Sequence, residues 1–200
     1  MARPSNTEER RAQIVEGLLA VMSERGYERA SIAEIGRACG LTSGLLHYHF
    51  ASKQEILIGL IDRLQGIFDE RLQERMSRAG EDSRKRLHAF VDAHLARDKS
   101  ADPRAVAAWV VIGAEAIRQP EVRELYRRAT EVRFALLHQL ILERLRATGG
   151  PVREARQMSA AVLAAIEGAF QLSAAAPGLM PEGSAAPTVR RMVDGLFGRG

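Results

Sequence analysis

The feature that most constrains this 200-residue chain is a helical spacing of apolar residues that recurs along nearly its whole length. Such residues come at steps of three and four, as on one face of an amphipathic α-helix. No segment alternates apolar and polar residues as a half-buried strand does. The sequence therefore predicts an all-α protein. The clearest stripe consists of Leu57, Leu60, Ile61, Leu64, Ile67, Phe68 and Leu72.

Start and stop signals divide the chain into about nine helices. Ser31 and Glu34 have the spacing of a capping box, in which each side chain satisfies a free backbone N–H of the first turn. Pro103, Pro120 and Pro151 fit first helical positions, because the N–H that proline lacks has no helical acceptor there. The predicted helices span residues 7–25, 31–40, 42–50, 52 to near 80, 82–97, 103–118, 120–147, 151–175 and 186–198.

The second and third predicted helices are separated by a short turn at Gly40, which is helix-turn-helix spacing. Helices that cross steeply need a small residue where they approach, and Gly36 supplies it, while Gly40 tolerates a positive φ. The second helix of such a pair enters the major groove of DNA. We expect a DNA-binding domain over residues 1–53 and a second helical domain over 54–200, to which the family resemblance given below assigns ligand binding and dimerisation. The apolar anchors of the motif are Ile32, Ile35, Cys39, Leu41 and Leu46.

The third helix offers its first side chains to base edges and its later ones to phosphates. His47 and His49 lie about 200° apart around this helix, so we do not expect a shared metal ion. His49 is instead expected to be a packed, hydrogen-bonded histidine at the end of the helix. Thr42, Ser43 and Gly44 are placed near bases, and His47, Tyr48 and Lys53 suit phosphates.

Residues 7–53 resemble the DNA-binding domain of the tetracycline-repressor (TetR) family, most specifically in the Tyr-His-Phe-x-Ser-Lys string at 48–53. The resemblance implies a dimer that binds a roughly palindromic operator and a divergent carboxyl-terminal domain that senses a small molecule. One departure is His47, where many members have a second tyrosine. The resemblance implies phosphate contacts by Ser31, Tyr48 and Lys53 and base contacts by Thr42, Ser43, Gly44 and Leu45, and our candidate DNA-binding set adds His47 and His49.

The run from Asp102 to Arg128 looks loosely like the carboxyl-terminal domain of BetI-type members of this family, which respond to choline. A quaternary ammonium ligand requires an aromatic face and a nearby carboxylate. The sequence nevertheless favours some other, mostly apolar effector over a choline-like one, and control by a partner protein is a further alternative. The candidate effector-binding residues are Trp109, Glu115, Phe134, His138 and Phe170.

The last two predicted helices carry apolar faces that a single small bundle has difficulty covering. We expect them to form a two-fold four-helix bundle with a second copy of the chain. The alternative is that both faces belong to the chain's own core. The candidate interface residues are Met158, Ala161, Val162, Ala165, Ile166, Ala169, Phe170, Val189, Met192, Val193, Leu196 and Phe197.

Composition narrows the class of protein further. Cys39 is the only cysteine, which excludes an intrachain disulfide and fits a reducing compartment. The amino terminus lacks the apolar core of a signal peptide, and the longest uninterrupted apolar stretch, residues 105–114, is about half of a membrane span. No catalytic, zinc-ligand or phosphate-loop spacing is present, so a helical enzyme is a remote alternative and we predict no cofactor. We expect a cytoplasmic DNA-binding regulator.

Overall fold

The computed structural model describes residues 6–198, and within this range it contains nine α-helices, one short 3-10 helix and no strand. The predicted all-α class is confirmed. The α-helices are α1 Asn6–Arg25, α2 Ile32–Cys39, α3 Ser43–His49, α4 Lys53–Ala79, α5 Ser83–Leu95, α6 Pro103–Arg118, α7 Pro120–Thr148, α8 Ala155–Ala175 and α9 Ala185–Phe197.

The helix starts follow the capping signals with two differences. The Ser31 hydroxyl accepts a hydrogen bond from the Glu34 backbone N–H at 3.2 Å, as expected of an N-cap. The Glu34 carboxylate does not complete the capping box, because it accepts hydrogen bonds from Arg37 at 2.9 Å. Pro151 does not begin an α-helix either: it precedes a 3-10 turn at Val152–Glu154, after which α8 begins.

The helices form two compact units. The amino-terminal unit contains the chain up to Gln65 together with Asp102–Tyr126, and the bundle unit contains Gly66–Ala101 together with the chain from Arg127 onward. Helix α6 therefore belongs with the helix-turn-helix, and α4 and α7 each contribute to both units. Glu16 of α1 connects these parts of the amino-terminal unit, since its carboxylate pairs with Arg63 of α4 and lies 3.8 Å from Arg104 of α6.

Each unit has its own apolar core. The amino-terminal unit buries side chains of α1 to α4 and α6, including Ile14, Leu18, Leu19, Met22, Ile35, Leu46, Phe50, Leu57, Leu60 and Ile112. The bundle unit buries side chains of α4, α5 and α7 to α9, including Leu87, Phe90, Val91, Leu137, Leu140, Ile141, Val162, Ile166, Val189 and Val193.

One helical segment of the described chain, Val152–Ala175, is long and apolar enough to cross a membrane by length and composition. The sequence-based expectation overlooked it, because its apolar character comes from many alanines interrupted by single polar residues. Several of its larger side chains, among them Met158, Val162 and Ile166, are buried in the bundle unit. Core helices of soluble proteins pass the same test, so this feature is weak evidence for a membrane span.

Candidate nucleic-acid interface

The turn between α2 and α3 is fixed by two glycines. A Cβ built at Gly36 would lie 2.7 Å from the Leu41 backbone oxygen, a distance that real Cβ atoms essentially never show. Gly40 has a φ of 68° and ends α2 in the left-handed conformation. The Leu41 N–H donates to the Gly36 oxygen at 2.9 Å across this turn. The predicted need for a small residue at 36 and a positive φ at 40 is confirmed.

The predicted anchors of the motif contribute unequally. Ile35 and Leu46 are fully buried, whereas Ile32, Cys39 and Leu41 are only partly buried. Cys39 lies beside α1 at Gly17, where an added Cβ would be 3.0 Å from the Cys39 Cβ. Burial raises the pKa of the Cys39 thiol. Because the thiolate is the reactive form, this environment favours a packing role over a redox-sensing role.

The amino-terminal face of α3 is open to solvent. The Thr42 hydroxyl caps the helix by accepting from the Leu45 N–H at 3.4 Å, and Thr42, Ser43 and Gly44 are all exposed. A Cβ at Gly44 would meet nothing within 4 Å, so the backbone there is open to close approach by a ligand. Leu45 is half-buried. Further along, His47 is exposed and the Tyr48 side chain is 80% exposed, which is unusual for a large aromatic residue.

The end of α3 is held by Arg11 of α1, a residue that the sequence analysis missed. Its guanidinium donates to the His49 backbone oxygen and to the Glu55 carboxylate, the latter at 3.1 Å, and lies 3.9 Å from the centre of the Phe50 ring. Hydrogen bonds from the Ala51 N–H and from Arg11 lower the pKa of Glu55. No local sequence signal identifies Arg11, because its partners are distant along the chain.

The predicted phosphate ligands differ in their surroundings. Ser31 is exposed, and its hydroxyl, which accepts the capping hydrogen bond, retains its own O–H for donation. The Lys53 ammonium instead donates to the Tyr27 backbone oxygen at 3.0 Å and lies 4.0 Å from the centre of the Tyr27 ring. Burial lowers the pKa of Lys53, and the carboxylates of Glu115 and Glu28 act in the opposite direction. Lys53 therefore connects the start of α4 to the loop after α1.

The two histidines of α3 have opposite environments. His47 is exposed, whereas His49 is only 9% exposed and its ring lies edge-on to that of Tyr48 at 5.0 Å between centroids. The His49 ring is therefore packed, and the accessible side chains next to it on α3 are those of His47 and Tyr48. Within residues 6–198, no cluster of three or more His, Cys, Asp or Glu side chains is arranged to hold a metal ion.

The candidate effector residues fall into both compact units. In the amino-terminal unit Trp109 is buried and stacks on Tyr126 with ring centroids 4.7 Å apart, and Glu115 accepts a hydrogen bond from the Gln119 amide at 2.9 Å. Trp109 thus packs α6 against the start of α7. In the bundle unit the Phe134 and His138 rings are nearly parallel at 6.3 Å, and His138 Nδ1 lies 3.3 Å from the Ser159 hydroxyl.

Phe170 belongs to an aromatic cluster that the sequence analysis did not find. This cluster, called here the His94 cluster, contains Phe68 of α4, Phe90 and His94 of α5 and Phe170 of α8. The His94 ring centroid lies 4.1 Å from that of Phe68, 4.6 Å from that of Phe90 and 6.2 Å from that of Phe170. Phe90 and His94 lie one turn apart on α5, but their neighbours come from other parts of the chain, so no local sequence pattern indicates the cluster.

The candidate interface residues are divided between the core and the surface. Part of the set is exposed: Met192 is 55% and Leu196 41% exposed, and Ala161 is also open to solvent. Ala165 and Phe197 are half-buried. The remaining members are buried within the chain itself, namely Met158, Val162, Ile166, Ala169, Phe170, Val189 and Val193.

Two family profiles match the chain. Residues 14–60 match the family described as "Bacterial regulatory proteins, tetR family". Residues 83–198 match "BetI-type transcriptional repressor, C-terminal", and this second match alone covers more than half of the chain.

Individual relatives agree with these matches. The HTH-type transcriptional regulator BetI of Rhizobium meliloti is 34% identical over 116 residues, which are 58% of this chain and 56% of that relative. The chain therefore spans little more than half of that relative's length. A solved transcriptional regulator from Pseudomonas aeruginosa PAO1 superposes with a TM-score of 0.81 at 21% identity, covering 95% of this chain and 91% of the other.

A second solved structure, a transcriptional regulator from Saccharomonospora viridis in complex with choline, gives a TM-score of 0.73 at 23% identity. It covers 94% of this chain and 95% of the other. At such identities, these two structural similarities show a shared fold alone.

Proposed function

Because the chain belongs to the TetR family of bacterial regulatory proteins, with a carboxyl-terminal part of the BetI type, we propose that it is a ligand-responsive transcriptional repressor. In this proposal a homodimer binds a palindromic operator through α3 and is released by a small molecule. This family consists of regulators rather than enzymes, so no catalytic role is proposed. Because the DNA of a bacterium lies in its cytoplasm, the proposal includes a cytoplasmic location for the protein.

The observation that carries this proposal is the exposed amino-terminal face of α3. Ser43 and Gly44 are open to solvent at the helix start, and Tyr48 projects from the same short helix. Arg11 fixes the far end of α3, so the face is presented on a rigid support. Such a helix start fits the major groove, where side chains reach base edges, while a tyrosine hydroxyl suits a phosphate oxygen.

Charge supports a dimer as the binding species. Residues 1–53 contain seven Lys and Arg against six Glu, so a single domain attracts DNA weakly. Two linked copies bind far more tightly, because attachment of the first raises the effective concentration of the second. A two-fold dimer would present its two α3 helices to half-sites about 34 Å apart.

We propose that the dimer forms through the α8–α9 face, defined as the exposed small and apolar residues of these two contacting helices. Alanine and glycine on α8 permit close approach of a partner helix, and Met192 and Leu196 of α9 provide exposed apolar surface. Burial of such a patch against an identical patch is the usual arrangement in a two-fold dimer. The face contains Ala160, Ala161, Ala164, Gly168, Leu172, Met192, Gly195 and Leu196.

The effector is proposed to bind in the bundle unit. That unit contains the His94 cluster and the stacked Phe134 and His138 rings, whereas Trp109 is already packed in the amino-terminal unit. A molecule that binds one arrangement of the dimer better than another shifts the population and changes the affinity for DNA. The choline complex of the regulator from S. viridis makes a quaternary ammonium compound one candidate effector.

DNA binding is tested by gel mobility with the DNA upstream of the protein's own gene. We expect Ser43→Ala and Tyr48→Phe each to weaken binding by about tenfold or more, because both copies in the dimer lose one contact. Ser77→Ala is the matched control, since Ser77 is an exposed helical serine of the bundle unit. Equal retardation by all three variants, or none by the wild type, would contradict the proposal.

A further inference from the structure

His94 has an unusual hydrogen-bonding state. Its Nδ1 lies 2.9 Å from the Phe90 backbone oxygen, one turn earlier in α5, so Nδ1 carries the proton and donates it. Its Nε2 is therefore a bare acceptor. That atom is buried and has no hydrogen-bond partner among the described residues. A buried unsatisfied acceptor is rare in folded proteins and indicates a missing partner such as a water or a ligand.

The immediate surroundings of the His94 ring are aromatic. Phe68, Phe90 and Phe170 come from three different helices and lie around the imidazole ring. The His94 residue as a whole is half-buried, whereas its Nε2 atom is buried. Ligand sites typically combine aromatic walls with a few polar groups that orient the ligand.

The bundle unit contains other buried polar atoms of this kind, and one of them is a hydroxyl on α7. The Thr130 hydroxyl is also buried without a hydrogen-bond partner among the described residues. Thr130 precedes Arg133 by three residues and so lies on the same face of α7. The Arg133 charge acts on His94, so Arg133 is close enough to influence the His94 ring.

The charges that act on His94 are positive. Burial, followed by the guanidinium groups of Arg133 and Arg71, lowers its pKa to about 3. Arg71 donates to the backbone oxygen of Ala96 at 2.5 Å, and its guanidinium lies 3.8 Å from the Asp98 carboxylate. Arg133 lies 4.0 Å from Glu167. The ring is neutral at physiological pH, and a cation placed against it would meet the same two guanidinium groups.

We propose that the His94 cluster binds the effector as an uncharged apolar molecule that donates a hydrogen bond from a hydroxyl or amide group to His94 Nε2. The same site disfavours quaternary ammonium compounds, so of the candidate effectors named above it favours the apolar one over the choline-like one. This inference rests on the proposed function, since it assigns the ligand class of the proposed effector site.

Three probes, each with one phenyl ring, separate the effects of the hydrogen-bond donor and of a positive charge on binding. Benzyl alcohol carries the donor, toluene lacks it, and benzyltrimethylammonium carries a permanent positive charge. We expect benzyl alcohol to bind the full-length protein about three- to tenfold more tightly than toluene, as one additional hydrogen bond allows. Benzyltrimethylammonium is expected to bind most weakly. Calorimetry measures the affinities, and the ¹⁵N resonance of His94 Nε2 is expected to shift with the alcohol only.

The variant His94→Phe keeps an aromatic ring and removes the acceptor. We expect it to bind benzyl alcohol and toluene equally. His88→Phe is the matched control on the same helix, because His88 Nε2 is already satisfied by Asp194 at 2.9 Å, and it should retain the preference for the alcohol. If His94→Phe does not fold, the ¹⁵N shift in the wild-type protein decides the question.

Several outcomes would overturn the inference. Equal binding of the alcohol and toluene by the wild type would do so, as would tightest binding of the ammonium probe. An Nε2 resonance that no probe moves would mean that only a water satisfies this atom. Any of these results in a protein that still binds operator DNA refutes this inference alone. Alcohol binding at His94 in a protein that ignores operator DNA refutes the proposed function alone.

Discussion

The two compact units of this protein differ in where they place the polar groups that we propose to bind partners. In the amino-terminal unit charged side chains pair with neighbours and hold the scaffold, as Arg11 does with Glu55, while the surface proposed to bind DNA is exposed. In the bundle unit several buried polar atoms have no hydrogen-bond partner among the described residues, and His94 Nε2 and the Thr130 hydroxyl are two of them. This contrast fits the proposals made above, in which one unit recognises DNA with an outer surface and the other binds a small molecule in an interior cluster.

This difference has a physical reason. DNA is a large polyanion that a protein meets at its surface, so the contacting groups remain solvated until binding. A small molecule gains affinity from burial, so its site is lined by aromatic rings with a few desolvated polar groups. Desolvated polar groups cost stability unless a partner satisfies them.

The largest expected effect concerns the outer surface of the bundle unit, which we propose to mediate self-association rather than ligand binding. The double substitution Met192→Glu and Leu196→Glu puts two carboxylates per chain into the α8–α9 face. We expect the dimer to weaken by about 3 kcal/mol or more, because buried charges without partners are strongly unfavourable. Light scattering after size exclusion measures the oligomeric state. Leu179→Glu, at an exposed apolar residue of a loop, should leave the oligomeric state unchanged. Dimers that persist in the double variant would show that this face is not the dimer interface.

A second prediction tests the rigid scaffold of the amino-terminal unit. Gly36→Ala places a methyl group 2.7 Å from the Leu41 backbone oxygen, which has no flexible side chain to move away. We expect unfolding to become easier by about 2 to 3 kcal/mol and DNA binding to fall with it. Urea denaturation measures the change.

Gly66→Ala is the control for that experiment. A Cβ at Gly66, within α4, meets nothing within 4 Å, so this variant should be slightly more stable than the wild type. Similar stabilities for the two alanine variants would show that the close crossing of α2 and α3 is not a constraint.

The third prediction concerns the pH dependence of stability that the buried His94 of the bundle unit produces. The pKa of His94 is about 3 in the folded protein, against 6.5 for an ordinary histidine, so the unfolded chain binds a proton that the folded chain does not. Above about pH 6.5 neither state binds this proton, so the free energy of unfolding is not reduced. As the pH falls towards about 3, protonation of the unfolded chain progressively lowers the free energy of unfolding. From about pH 7 to about pH 5 we expect the loss to be about 2 kcal/mol. The difference between the wild type and His94→Phe in urea denaturation isolates it, and parallel pH profiles would contradict it.

Much of the amino-terminal unit was predictable because its signals are local. Gly36, Gly40 and the cap at Ser31 act on residues a few positions away, and a local geometric requirement leaves a local residue pattern. The supports of that site were not predictable. Arg11 reaches the end of α3, and Lys53 packs on Tyr27, through contacts between residues far apart in the sequence.

The bundle unit was predictable only as a set of helices. Its apolar stripes correctly indicated buried faces, but a stripe does not identify what the face packs against. Met158 and Val162 carry the same pattern as interface residues, and the fold buries them inside their own chain. The sequence analysis did not single out His94, because Phe68 and Phe170 lie beside its ring only in the folded chain.

The amino-acid sequence alone determined the all-α class, the helix ends and the helix-turn-helix, because periodicity, caps and glycine conformations are properties of neighbouring residues. Only the tertiary structure decided which polar atoms lost water without gaining a partner and which apolar residues remained exposed. Burial depends on residues that meet in space from distant parts of the chain, so the buried acceptor of His94 and the exposed Met192 are results of folding.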